Sequence, residues 1–513
     1  MKPSTELFDL IKSLTKSEKR FFKLSSSLQE GEKNYLKIFD SIDKQEEYDE
    51  EEIKDQFKDE TFIKHFPSEK NHLYKLILKS LRSYHSDHSV SAILRQEIKN
   101  IEILFKKGLY KECHKFLQRA KKIAKDNEKF YYLFDLINIE KQLLEEDYES
   151  GEFDRDLTEL VEEETDCIEK LRNLAEYHII LARINYVFRR EGFAHNEEER
   201  NIVSEIENHH LIKGKNTALS SRASTICYYI KGLCATTNRQ YQDAFTFFRR
   251  VKEIFDKNPH IRADLAKRYV KTLSNLLYCY IDARNYDAAF ALINDMNDLR
   301  DKEGFDSLEM EVKIFTSTHI ALLMLHNKMG EFQKSIKLSK DIILGMDKYG
   351  ERINKEQQLM FAYHISYTYF GAGDYKESLQ WINSVLNENE QSLRRDIFNF
   401  ARVFNLIIHY ELGNMDLLEY SIKSTVRYLN KKEKDYQSEA VLIKYFKKLI
   451  RISIEFDRRD VYLNMQEELN KLFENPIERV LLEYLDINAW VESKIKGVPF
   501  SDCVKKYNQQ ITI

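Results

Sequence analysis

The chain has 513 residues, of which only 14 are Gly and 5 are Pro while 32% are charged, so few positions break a helix and many can solvate one. With 80 Lys and Arg against 85 Asp and Glu the formal net charge is -5, which speaks against a protein built to coat nucleic acid or an acidic membrane. The opening MKPSTELFDLIKSLTKSEKR is too regularly charged for a secretory signal, no stretch approaches the roughly 18 uninterrupted apolar residues of a membrane span, and the six cysteines (Cys113, Cys167, Cys227, Cys234, Cys279, Cys503) form no CxxC pair, so a cytoplasmic protein with reduced core thiols is expected.

Residues 1–88 predict a small helical domain or cap. TKSE at 15–18 has the spacing of a capping box ahead of Phe21 and Phe22. Further helices are predicted over 34–42 (NYLKIFDSI), 49–57 (DEEEIKDQF, with acidic residues where a helix N-terminus favours them) and 67–84 (PSEKNHLYKLILKSLRSY). LTKSEKRFF followed by SEKNHLYKLILKSLRS resembles the helix-turn-helix domains of LuxR-type transcription regulators, which open on Leu-Thr-x-x-Glu and end in a basic recognition helix. That resemblance implies DNA binding through Lys70, Lys75, Lys79 and Arg82. An acidic stretch at 46–52 lies between the two phrases, which that family keeps closer together, and like charge there opposes phosphate binding. HSDH at 85–88 offers two imidazoles and a carboxylate, but its polar setting between helices reads as a solvated connector.

From residue 89 a phrase recurs: KKGLYKECHKFL at 106–117, NRQYQDAFTFF at 238–248, ARNYDAAFALI at 283–293, KMGEFQKSIKL at 328–338 and GAGDYKESLQWI at 371–382. Each holds an aromatic (Tyr110, Tyr241, Tyr286, Phe332, Tyr375) and, one helical turn on, a small residue (Cys113, Ala244, Ala289, Ser335, Ser378) that lets a neighbouring helix approach. An amphipathic run and a turn precede each aromatic, so the unit is a helical hairpin. The spacing is 45 residues from Tyr241 to Tyr286, 46 on to Phe332, 43 on to Tyr375 and 40 on to Met415, a period that marks a solenoid. Weaker copies fit by spacing around Phe153, Phe193 and Val461.

This phrase resembles the tetratricopeptide repeat (TPR) family, whose hairpins open the second helix on an aromatic, place alanine three residues later, and carry Gly or Tyr in the first helix, where Gly232, Tyr280 and Tyr369 stand. The resemblance covers about residues 91–473, with repeats longer than the roughly 34 residues typical of that family. It implies an all-α, right-handed α-solenoid of stacked hairpins, with residues 89–475 forming the repeats and 476–513 forming C-terminal capping helices and a tail. It also implies that first helices line a concave face into which residues eight and twelve positions before each aromatic point. On that rule Tyr229, Leu233, Tyr278, Ile320, Met324, Tyr363, Tyr367 and Ile407 line an apolar and aromatic groove for a helix or extended peptide. The Lys, Asn and Arg clamp of the chaperone-tail-binding members is matched only by Lys271 and Asn275.

No phosphate loop, GxGxxG, HExxH or GxSxG occurs, the adjacent His209 and His210 point about 100° apart on a helix, and the acidic runs at 145–149 and 162–164 read as solvated faces. The basic stretch at 431–448 is diluted by Glu433, Asp435 and Glu439. The expectation is a non-catalytic interaction scaffold without cofactor or metal, taking a protein or peptide partner. The alternative is a transcription or signalling regulator that pairs a TPR sensor with an N-terminal DNA-binding domain.

Overall fold

The structure, a computed structural model, describes residues 4–27, 34–86, 89–150, 157–191, 197–389, 394–430, 437–452, 455–475 and 478–509. Those residues form α-helices and two short 3-10 turns, with no strand among them. The chain divides into two compact units, Met1–Ile168 and Glu169–Ile513.

The first unit begins with α1 (Glu6–Ser13), α2 (Lys16–Ser27), α3 (Asn34–Lys44), α4 (Glu50–Gln56), a 3-10 turn (Thr61–His65) and α5 (Phe66–Tyr84). Leu7, Ile11, Phe22, Ile38, Phe39, Phe66, Leu73 and Ile77 close a core among these helices. The capping box forms as expected: the Glu18 carboxylate accepts from Thr15 N–H at 2.7 Å and the Thr15 hydroxyl accepts from Glu18 N–H at 3.2 Å. The phrases that resemble a helix-turn-helix do not make one. Between α2 and α5 stand two further helices and the 3-10 turn, where that motif allows a turn of about 3–4 residues.

This unit continues through α6 (Val90–Lys106), α7 (Tyr110–Asp126), α8 (Phe130–Ser150) and the start of α9 (Leu157–Glu191). The helices α6 and α7 are the hairpin announced by Tyr110, and Cys113 is fully buried in it. The acidic run at 162–164 is not a simple solvated face. Glu163 pairs with Lys121 at 2.7 Å and Lys125 at 2.8 Å, and Glu164 pairs with Lys141 at 2.5 Å. Lys121 also pairs with the fully buried Glu140, so a charge sealed in this interior is compensated.

In the second unit, after the end of α9, come α10 (Glu197–Asn208), α11 (His210–Lys213), α12 (Ser221–Thr237), α13 (Tyr241–Lys257), α14 (Pro259–Asp264), α15 (Ala266–Asp282), α16 (Tyr286–Asn297), α17 (Leu308–Lys328), α18 (Phe332–Tyr349) and a 3-10 turn (Gly350–Arg352). They are followed by α19 (Lys355–Gly371), α20 (Tyr375–Leu386), α21 (Arg395–Glu411), α22 (Met415–Asn430), α23 (Gln437–Leu449), α24 (Glu455–Leu472), α25 (Val480–Tyr484), α26 (Ile487–Lys496) and α27 (Phe500–Gln509).

The fold is an all-α solenoid. Tyr241, Tyr286, Phe332, Tyr375 and Met415 are each the first residue of a second helix, and Ala244, Ala289, Ser335 and Ser378 are fully buried. Close approach also explains two glycines: a Cβ on Gly232 would lie 2.6 Å from the Phe248 ring, and one on Gly371 would collide with Phe332. Val461 lies inside α24 rather than opening a helix, so the copy placed there by spacing is not a repeat start. Phe153 and Phe193 lie outside the described residues.

Candidate recognition groove

The inner face of the second unit is built from first helices, as the repeat phrase implies, but much of it is occupied by the chain itself. Residues 480–509 run along it. Tyr241 Oη donates to Glu483 at 3.1 Å, Tyr363 Oη to the Tyr484 carbonyl at 3.2 Å, and Tyr367 Oη to Asp486 at 2.7 Å. Phe500 packs against Phe332, Tyr367 and Phe370 with ring centroids 5.4 to 6.2 Å apart. Trp490 sits among Tyr410, Phe446 and Tyr462, and its indole N–H donates to Glu411 at 2.6 Å. Arg284 and Tyr286 hold the end of α27 through the Tyr507 carbonyl and the Asn508 side chain.

These C-terminal helices pack on α24, the helix before them, and reach α17, α19 and α21 as an insert along their faces. Val480, Leu481, Leu485, Ile487, Trp490, Val491, Phe500 and Val504 are all buried. Each large apolar side chain buried there contributes about 1.5–3 kcal/mol of transfer free energy, which holds the insert in place. Gly497, with φ 64°, makes the left-handed turn that folds α27 back on α26.

The insert meets Tyr363 and Tyr367 directly, whereas Tyr229 and Leu233 belong to a core cluster that holds none of its residues. Leu233, Ile407, Tyr363, Tyr367, Ile320 and Tyr229 are buried. Met324 is half-buried and lines a recess with Asn327, Lys328, His364, Tyr367 and residues 483–486. The recess has about 20 Å³ of free space, room for about one water molecule. Burial, followed by Lys328 and Arg394, holds the His364 imidazole neutral with its pKa down to about 3. The aromatic groove read from the sequence is, over this stretch, core.

Tyr278 is different, with 41% of its surface exposed. Its hydroxyl pKa is raised by burial, with Arg394 acting to lower it and Glu356 to raise it. Along the same face of α15, at helical spacing, stand Arg268, Lys271 and Asn275, all half-buried. Asn275 Nδ2 donates to Tyr229 Oη at 3.3 Å. Arg268 makes no ion pair among the described residues; burial lowers its pKa, Tyr229 acts to raise it and Arg222 to lower it. His178 on α9 is held toward the neutral form by burial and by Arg268.

No family model matches the chain, and no curated protein matches it. Among solved structures it is similar to the apo form of RapI, at 11% identity and a TM-score of 0.40 over 79% of this chain and 99% of that one. A likeness that loose carries no argument, and the fold stated above rests on the chain's own helices.

The candidate DNA-contacting residues are divided by the structure. Lys70 is taken up by Glu50 at 2.5 Å and by the Tyr48 hydroxyl at 3.1 Å, whereas Lys75, Lys79 and Arg82 share an exposed face of α5. The acidic stretch read as opposing DNA thus supplies the partner for Lys70. In HSDH, His85 bonds Glu18 at 2.7 Å, while Asp87 and His88 lie outside the described residues, as do Lys432 and Lys434 of the basic stretch. His209 caps α11 by accepting from Leu211 N–H. Each cysteine is a buried free thiol, and no described helix is long and apolar enough to cross a membrane.

Arg268 and the insert were missed from sequence. Arg268 did carry a signal, since it stands three, seven and ten residues before Lys271, Asn275 and Tyr278 on one helical face. Nothing local announces that EYLD at 483–486 enters a groove more than a hundred residues away in sequence, because the motif rule reads hairpins and not what fills them.

Proposed function

We propose that the protein is a cytoplasmic, non-catalytic recognition scaffold that takes a protein or peptide partner in the part of its inner face left open by residues 480–509. The observation that carries this reading is the Tyr278 ring, 41% exposed on α15 of the second unit while the neighbouring predicted groove residues are buried. A tyrosine offers apolar area with a hydroxyl for backbone contact and loses little entropy on binding, so an exposed ring of this kind can anchor a partner. Its surroundings also restrict what it can be: the polar and cationic face of α15 suits a partner segment with its own polar groups more than a purely apolar helix.

The test is capture from native extract by the immobilised full-length protein and by its Tyr278→Ala form, compared by mass spectrometry. Proteins retained by the first and lost from the second, at equal thermal stability, are the expected result. Identical retained sets would place recognition elsewhere.

A further inference from the structure

We infer that the protein pairs with a second copy of itself through the solvent face of α9, the two helices lying antiparallel. This surface is separate from that of Tyr278 and does not depend on its reading.

The first observation is the pattern of what water reaches. α9 is one unbroken helix of 35 residues, about 50 Å long at about 1.5 Å per residue. It buries Leu160, Cys167, Tyr177, Ile184 and Val187 along one side, and a helix packed on one side normally turns polar residues to water on the other. The other side of α9 is instead apolar along its centre. Val161, Ile168, Ala175 and Ala182 recur every seven residues, and Ile179 and Tyr186 stand four residues after the last two. The four large members are 46% to 64% exposed, and both alanines are exposed as well. Thr165 and Arg172 complete the row, which then alternates steps of four and three from Val161 to Tyr186. That spacing is the seam along which two helices join in a coiled coil.

The second observation is that the row complements itself when reversed. Turning α9 end for end about the bond between Asn173 and Leu174 sets Val161 against Tyr186 of the second copy, Ile168 against its Ile179 and Arg172 against its Ala175. The one long charged side chain of the row thus faces a small one. Charges beside the row agree: Glu162 flanks the first half and Arg183 the second, so the reversal brings them together, twice over in a two-fold pair. Arg183 lies on Glu205 at 2.6 Å, but both are exposed and such a surface pair holds weakly. Glu169 comes beside Glu176 of the second copy, where Arg172, already on Glu176 at 2.9 Å, offsets the two carboxylates. Parallel pairing sets Arg172 against its own counterpart, so the antiparallel arrangement is the favoured one.

The experiment is sedimentation velocity of the full-length protein from about 1 to about 100 μM, the range in which a modest interface shows itself. A rise toward twice the chain mass is expected. Ile179→Lys is expected to weaken pairing at least about 10-fold at unchanged melting temperature, since the side chain it replaces is already in water. Val161→Lys serves the same purpose should the first variant fold poorly. Orientation is read by mild oxidation: Ile168→Cys combined with Ile179→Cys is expected to give a covalent dimer and Ile168→Cys alone is not, the native cysteines being buried. A monomer at every concentration would overturn the proposal. So would a dimer that neither lysine variant weakens, by placing the interface elsewhere, and cross-linking through Ile168→Cys alone would overturn the antiparallel arrangement.

Discussion

Replacing Tyr367 by alanine tests whether the inner face of the solenoid is sealed around residues 480–509. The side chain is 4% exposed, and its ring lies 5.9 to 6.2 Å, centroid to centroid, from those of Phe332, Phe404 and Phe500. Truncating an aromatic in such a setting costs about 3–5 kcal/mol, and leaving the Asp486 carboxylate without its hydroxyl donor adds about 1–3 kcal/mol. By contrast, Tyr278→Ala removes a ring that solvent already reaches over 41% of its surface and is expected to cost less than about 1 kcal/mol. Because repeat arrays can open in pieces, a local reporter is needed. Trp490 supplies one, being 1% exposed within the insert; a Trp381→Phe background leaves it as the single indole. Its emission, followed through urea unfolding, is expected to shift red at clearly lower denaturant in the Tyr367 variant and not in the Tyr278 variant. Equal effects of the two substitutions would refute the argument, since they would show either that both rings are core or that neither anchors the insert.

Gly371→Ala drives a methyl group into the Phe332 ring, and overpacking of this kind costs about 1–3 kcal/mol, to be read as a drop in melting temperature that Phe332→Leu partly relieves. His364 is kept neutral in the folded chain, with a pKa of about 3 set by burial and then by Lys328 and Arg394, so protons bind the unfolded chain first as pH falls below about 6.5. The stability this residue contributes is present above that pH and declines below it, by about 2 kcal/mol at pH 5; urea midpoints of the native chain and of His364→Gln should therefore converge as the solution is acidified. On α5, Lys75→Glu combined with Lys79→Glu is expected to leave association with DNA fragments at low salt unchanged, whereas a measured loss would revive the regulator reading.

The repeat architecture was legible because it is written in local terms. An aromatic that opens a helix and a small residue one turn later are fixed by the packing of two adjacent helices, and Tyr241 with Ala244 or Tyr375 with Ser378 keep that relation in the structure. The inner face was legible only in part. Counting back eight and twelve residues named Tyr363, Tyr367 and Tyr278 but could not say what lies against them, and the first two are buried while the third is exposed. That depends on a contact such as Tyr367 to Asp486, between residues 119 apart in sequence, and no periodicity carries that information. The supposed helix-turn-helix failed for a related reason: two phrases matched while the helices between them, one of which neutralises Lys70, were not part of the match.

The long repeat gives the insert its physical reason. First helices such as α15, α17 and α19 span 17 to 21 residues, so the inner face they form is broad and must be covered or left wet. Over α19 and α21 that face is apolar and aromatic, with Tyr363, Phe400, Phe404 and Ile407 no more than 1% exposed, and only a segment of comparable hydrophobicity can cover it; Leu485, Ile487 and Trp490 do so. Over α15 the corresponding positions are the polar Arg268, Lys271, Asn275 and Tyr278, of which only Tyr278 is exposed and the others are half-buried. The apolar covering by residues 480–509 thus follows the apolar first helices α19 and α21, where side chains that water cannot satisfy demand it.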